Sequence, residues 1–229
     1  MRFINLIGWF CSEIDLPVLY GIPYFTTVQD YMRSNKEEVW VYDRVSKKRR
    51  RVTLRVPTLD RDKRKSQVAT CVNFIHQKDA FIAMKVVEEL SLQNVRVYTV
   101  HDNFITTAVS AGGVSKVYTK VFMEMGPPLR IINEFIMLNL IRSSIPLKFD
   151  WVNDPIPGDE LQTLLRDLEP QDKKFDKTKW NQKIQEAVSC YEKYINTVCG
   201  GQRHADKWNS FHSLLNSWES LGVNYSVHY

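Results

Sequence analysis

The sequence has little of what would hold a covalently stapled or metal-pinned fold. Four cysteines, Cys11, Cys71, Cys190 and Cys199, are scattered through 229 residues. They lack the spacing of a disulfide framework or a zinc site, so a disulfide miniprotein is excluded and a reducing compartment is the expected setting. No run of about 18 apolar residues occurs, so no membrane span is expected. The apolar opening MRFINLIGWF meets Glu13 and Asp15 at once and carries no small-residue cleavage site, which does not fit a signal or transit peptide. Internal repeats and low-complexity tracts are absent as well. Aromatics are not scarce: 12% aromatic and 44% hydrophobic content describe a globular chain rather than a disordered one, long enough for one large domain or two small ones.

Charge is present but unevenly spread. The formal net charge is +5, yet residues 44 to 65 carry eleven Lys and Arg against Asp60 and Asp62, a local +9 that leaves the remainder near −4. The densest part is Lys47, Lys48, Arg49, Arg50 and Arg51. A positive field of that density attracts polyanions, phosphate backbones above all. Val39, Trp40, Val41, Tyr42 and Val45 precede the run, and Val52, Leu54 and Val56 alternate after it, as strands do. The run therefore reads as a nucleic-acid contact, as a solvated hairpin tip or as a nuclear-localisation patch.

Three segments follow from the patterning: residues 1–66 with the basic β-hairpin, 67–150 with a helix and a second hairpin, and 151–229, mainly helical. Residues 1 to 33 read as a helix end, a loop and a short extended piece. From about Asn73 to Leu92 the period is helical, with Ile75, Ile82, Val86 and Leu90 on one face and Asp79 expected on that same face, within reach of His76. Val95–Val100 and Phe104–Thr107 read as strands joined by a tight turn at His101, Asp102 and Asn103. Gly112 and Gly113 are expected to break the chain, Ser115 to cap a helix that Gly126 ends, and Pro127 and Pro128 to open the next. Three amphipathic helices are expected after the Pro155–Gly158 loop, marked by Leu161–Leu168, by Trp180–Val198 and by Trp208, Phe211, Leu215 and Trp218.

A carboxylate held at a β-turn is a good mount for Mg²⁺, which takes one or two carboxylates plus phosphate oxygens, and Asp102 fits that description. The stretch Asn73-Phe74-Ile75-His76-Gln77-Lys78-Asp79-Ala80, followed further on by Val100-His101-Asp102-Asn103-Phe104, resembles the C-terminal signature of the single-subunit, bacteriophage-type DNA-directed RNA polymerases. That family includes mitochondrial enzymes and those encoded on linear mitochondrial plasmids. Upstream, Gly21-Ile22-Pro23 with Gln29 and Tyr31 is similar to the family's Gly-x-Pro…Gln-x-Tyr piece. The resemblance covers roughly residues 18 to 140.

What the resemblance implies is an α+β fold: the C-terminal part of a polymerase palm and fingers, antiparallel hairpins with packed helices, followed by a mainly helical region. It implies template-directed nucleotidyl transfer by a two-metal-ion mechanism, with Asp102 as the second of two palm aspartates that bind Mg²⁺. His76 corresponds to the histidine that contacts the minor groove near the growing RNA end, with His101 and Asp79 in support. The implied partners are a DNA template, the RNA product, nucleoside triphosphates and the N-terminal polymerase portion, in the mitochondrion. The first palm aspartate and the helix that brings a lysine and a tyrosine to the nucleotide have no counterpart here, so the chain alone is expected to be inactive. A non-enzymatic nucleic-acid-binding protein and a non-functional polymerase remnant are the alternatives.

Overall fold

Apolar residues crowd the first helix because its partners surround it. In the computed structural model, which describes residues 2–101, 103–141, 152, 154–171, 175–199 and 213, helix α1 (Arg2–Glu13) buries Phe3, Ile4, Leu6, Ile7, Trp9, Phe10 and Cys11. It packs on α2 (Lys63–Leu92), with Gly8 set against the Thr70 side chain. A Cβ built there would overlap Thr70 Oγ1 and stand 2.8 Å from Thr70 Cβ, so this crossing requires glycine.

Strands β1 (Val18–Gly21) and β2 (Thr26–Gln29) pair antiparallel, with Val18 opposite Gln29. The free edge of β1 is met by a side chain instead of a strand. Asn139, fully buried, accepts from the Leu19 amide at 2.8 Å and donates to the Leu19 carbonyl at 2.9 Å, reproducing one rung of a ladder. Asn139 stands in a π-helical turn, Met137–Ile141, that continues α4 (Pro128–Ile136).

The long hairpin of β3 (Met32–Asp43) and β4 (Lys48–Arg61) is anchored only at its base. There the Arg61 side chain, 7% exposed, bridges Asp15 and Asp30, and Lys63 reaches Glu13 at 2.7 Å. Asp62 caps α2 by accepting from the Lys65 amide at 2.9 Å. At its far end α2 leads into the hairpin β5 (Val97–Val100) and β6 (Asn103–Thr106), then into α3 (Ala108–Glu124). Gly126, at φ 83°, ends that course, and Pro128 at the first turn of α4 opens the next. Helices α5 (Gly158–Asp167) and α6 (Lys177–Tyr194) follow, and α6 runs on into a π-helical turn, Ile195–Cys199.

Two cores share the length of α2. The larger gathers α1, Val18 and Tyr20 of β1, Cys71 of α2, the α4 region, Leu161, Leu164 and Leu165 of α5, and Trp180, Ile184, Ala187 and Tyr191 of α6. Trp180 is its centre: its ring meets Phe10 at 4.9 Å, Phe175 at 5.3 Å and Trp9 at 5.5 Å, and its Nε1 donates to the Leu165 carbonyl at 3.2 Å. The smaller core packs Ile82, Val86 and Leu90 of α2 on Val117 and Val121 of α3.

The fold is α+β with antiparallel hairpins and packed helices, as expected, but four local expectations change. Helix α2 starts ten residues before Asn73, because its first turns bury Ser66 and Thr70 rather than an apolar stripe. Asp79 does not face the core; it and Ile75 are exposed, and Gln77 is buried instead. Helix α3 runs through Gly112 and Gly113 from Ala108, so Ser115 is interior to it and no cap. In place of the expected helix end, loop and short extended piece, residues 2 to 29 form the full helix α1 and two paired strands, β1 and β2. The expected helix with Trp208, Phe211, Leu215 and Trp218 lies outside the described residues.

Candidate functional site

Two motif pieces separated along the chain meet at one place. Gln29, 4% exposed, accepts from the Tyr20 hydroxyl at 2.7 Å and from Asn73 Nδ2 at 2.6 Å, and donates to the Ser66 carbonyl at 2.9 Å and Thr70 Oγ1 at 3.2 Å. Asn73 also donates to the Tyr31 hydroxyl at 3.1 Å, whose ring carries the Lys65 ammonium 4.3 Å from its centroid. Gln77 accepts from Thr27 Oγ1 at 2.7 Å and donates to the Tyr20 carbonyl. Burial pushes the pKa of the Tyr20 hydroxyl up, so it remains a donor across the working pH range.

This cluster holds α2 against β2 on either side of His76, which is exposed at a groove of about 470 Å³. Phe25, Val28, Tyr31 and Asn73 line the same groove. Neither His76 nor Asp79 takes a hydrogen bond or ion pair from another described residue, so the pairing expected between them is not formed.

The basic run is resolved by the strand register into two faces. Direct partners are Asp43 with Lys48, Tyr42 with Arg49, Val41 with Arg50, Trp40 with Arg51 and Val39 with Val52. Because side chains alternate along a strand and direct partners share a side, one face carries Lys36, Glu38, Trp40, Tyr42, Arg49, Arg51 and Arg55. The other carries Glu37, Val39, Val41, Asp43, Lys48, Arg50, Val52, Leu54 and Val56. The first face has a formal charge of +3 and the second of zero. Arg51 meets Glu38 at 3.1 Å and Arg50 meets Asp43 at 3.4 Å, both pairs in solvent, where such contacts are weak. Lys47 sits in the turn with φ 51°. The turn itself is tied by Asp43, which accepts from the Val45 amide at 3.0 Å and the Ser46 hydroxyl at 2.6 Å. Those bonds, the hydroxyl's first, hold its carboxyl below the usual carboxylate range. Two members of the run, Arg61 and Lys63, are held by carboxylates at the hairpin base.

The expected hairpin forms, Tyr98 opposite Ile105 and Val100 opposite Asn103, so Asn103 opens β6 instead of lying in the turn. His101 is exposed in its turn at φ 55°, beyond the last residue of β5 rather than on the strand. Asp102 lies outside the described residues. Among the described residues no group of three or more His, Cys, Asp or Glu side chains could hold a metal ion. They do not by themselves fit a catalytic metal, and no metal-borne step is assigned to them.

Sequence reasoning passed over three features. One is the buried polar cluster of Tyr20, Thr70 and Gln77, which has no apolar period to announce it. Another is Lys78, half-buried over the Phe74 ring in a cavity of about 330 Å³, where desolvation lowers its pKa against the opposing field of Glu134. The third is the separation of Trp40 and Tyr42 from Val39 and Val41, which a strict period-2 count of the same residues would have found.

Residues 12–191 match the family described as DNA-dependent RNA polymerase. A probable DNA-directed RNA polymerase from Zea mays is 35% identical over 155 residues, which is 63% of this chain and 14% of that protein. The chain thus spans only a small part of the relative's length. The family match extends beyond residues 18 to 140, into α5 and α6.

Proposed function

The chain belongs to the DNA-dependent RNA polymerase family, and from that premise we propose that it forms the palm-and-fingers C-terminal portion of a single-subunit enzyme that builds RNA on a DNA template. The observation that carries this reading is the meeting of Gln29 and Tyr31 with Asn73 beside His76, at hydrogen bonds of 2.6 and 3.1 Å. Hydrogen bonds join two of the three motif pieces on which the resemblance rests, and they brace a helix that presents an exposed imidazole to a groove. In this reading His76 contacts the minor groove of the nascent duplex, with Asp79, exposed on the same helix, and His101, in the β5–β6 turn, in support. Asp102 is one of the carboxylates for the two Mg²⁺ ions that promote nucleotidyl transfer in the complete enzyme. Lys47, Lys48, Arg49, Arg50 and Arg51 contact phosphates. The mitochondrion is the proposed location, by resemblance alone.

The chain by itself is expected not to extend RNA, because the partner carboxylate and the nucleotide-binding helix lie in the polymerase portion it must join. Purified chain, template, RNA primer, nucleoside triphosphates and Mg²⁺ test this. Extension that disappears with Asp102→Asn would overturn the inactivity while keeping the site. Binding tests the wider reading: the chain should hold a DNA–RNA hybrid at low salt, more weakly after His76→Ala, and no measurable affinity would sink it.

Nucleic-acid binding without catalysis is a second reading, favoured by one observation: β3 and β4 contact little besides each other and stand clear of both cores. It expects salt-sensitive binding without sequence preference. Replacing Arg49, Arg50 and Arg51 by Ala should weaken that binding and flatten its salt dependence.

A further inference from the structure

The cavity that holds Lys78 shares Gln77, and no other lining residue, with the His76 groove. Lys78 follows His76 by two residues, about 200° around the helix axis, so the two side chains leave α2 on opposite sides. The cavity's walls are apolar and fixed. Phe135, 4% exposed, meets Phe74 edge-on at 4.9 Å and stacks on Tyr20 at 5.6 Å, while Ile22, Pro23, Ile131 and Leu138 add aliphatic surface. Rings held in this way have little rotamer freedom to lose when a ligand enters. Among the described residues that line the cavity, Lys78 is the one cation, and it forms no ion pair with any of them. Glu134, the acid whose field reaches it, is ion-paired to Arg130 at 2.9 Å. Desolvation already works against the Lys78 ammonium, and an anion entering the cavity relieves it. The strand edge adds backbone groups. Ile22 bonds across the hairpin to Phe25, and Leu19 turns away from β2 to Asn139, so the two-residue period turns the Gly21 N–H and C=O to that outer edge, at the cavity wall.

From this juxtaposition we infer that the cavity between α2, β1 and α4 binds a small aromatic monocarboxylate, with its ring on Phe74 and Phe135 and its carboxylate on the Lys78 ammonium. This goes beyond the nucleic-acid reading and does not rest on it. Each part of the ligand's chemistry answers a wall of the site. The aromatic walls favour a flat ring, which can offer them an edge or a face. A volume of about 330 Å³ stands at the low end of the ~300–1,000 Å³ range of small-molecule sites and suits a body of about two fused rings. The single cation calls for a single negative charge. Glu134 lines the same cavity and repels a second one, and Arg130 is already engaged with it, so phosphate esters and polyphosphates are disfavoured. A carboxylate on Lys78 makes a charge-assisted hydrogen bond next to apolar surface, where water competes least.

The test uses the full chain and three probes, naphthoate, uncharged naphthamide and dianionic naphthyl phosphate, followed by titration calorimetry and methyl NMR. Naphthoate should bind most tightly, with each of the other two about ten-fold weaker. It should shift the methyl resonances of Ile22, Ile131 and Leu138 and leave those of Val39 and Val41 in place. Lys78→Met keeps the apolar stem and should erase the preference for naphthoate over naphthamide, whereas Lys78→Arg should keep most of it. Ile131→Trp fills the cavity and should weaken all three probes, and His76→Ala should change none of them. Because Lys78 is half-buried and forms no ion pair, Lys78→Met should melt like the wild type, which separates loss of the site from loss of the fold. Equal affinity for naphthoate and naphthamide would mark an apolar groove such as a neighbouring protein segment fills, and would overturn the inference. A Lys78→Met variant that retains the preference, or no binding at millimolar probe, would overturn it as well. The nucleic-acid reading stands or falls separately, on the hybrid-binding measurement with His76→Ala.

Discussion

Replacing Gln29 by Leu removes four hydrogen bonds from the interior and leaves the volume nearly unchanged. Each of its four partners keeps another contact: the Tyr20 hydroxyl reaches the Thr70 carbonyl at 3.3 Å, Asn73 keeps Tyr31, and the Ser66 carbonyl and Thr70 hydroxyl keep one another at 2.6 Å. No group is orphaned outright, so the loss is the net worth of four bonds rather than four desolvation penalties, about 3 kcal/mol in all. Urea unfolding of the wild type and variant gives the difference. A double-mutant cycle with Tyr20→Phe isolates the bond between the two side chains, with an expected coupling of about 1 kcal/mol. The companion substitution Gln29→Glu sharpens the test, because a new carboxyl there faces the Ser66 carbonyl where the amide had donated. Its folded pKa is raised by burial, so the variant is nearest to wild type below the ordinary carboxylate value and loses stability as pH rises through the raised one. A Gln29→Leu cost under 1 kcal/mol, or a Gln29→Glu variant whose deficit does not change with pH, would refute the clamp.

Three further outcomes follow from other parts of the molecule. Gly8→Ala should destabilise by about 1–3 kcal/mol, since its methyl must displace Thr70, and circular dichroism melts would register a lower Tm. Trp180→Ala should cost about 3–5 kcal/mol and expose Trp9 and Phe10, and amide exchange across α1 and α6 should accelerate together. The hairpin turn should loosen in acid. Asp43 has a depressed carboxyl pKa, so its stabilisation is complete above the ordinary value and is lost as pH falls through the depressed one. The Val45 and Ser46 amide resonances should report that transition, and their indifference to pH between about 5 and 2 would contradict it.

Legibility followed the kind of signal each element carries. The basic hairpin, the His-Asp hairpin and the stop at Gly126 with Pro127 and Pro128 were readable because charge, β-branching and turn chemistry are local properties. The start of α2 was not, because Ser66 and Thr70 are buried through hydrogen bonds to Gln29 and Tyr20, partners that lie far upstream. Gly112 and Gly113 misled for the converse reason: no other described part of the protein approaches within 4 Å of a Cβ at either position, and packing of Val117 and Val121 holds the helix through its weakest residues. The motif residues Gln29, Tyr31, Asn73 and His76 were found as candidates. That the first three form one hydrogen-bonded brace, with the exposed His76 beside them on the same groove, is a property of tertiary structure and has no period to betray it.

The Trp9–Trp180 contact has a consequence for the order in which this protein is made. Helix α1 leaves the ribosome some 170 positions ahead of Trp180, whose ring packs on its Trp9 and Phe10. β1, α2 and the α4 region can pack on α1 earlier, but at roughly 5–20 residues per second about ten seconds or more pass before Trp180 exists to close over Trp9 and Phe10. That face of α1 is therefore transiently exposed apolar surface during synthesis, the kind that chaperones shield.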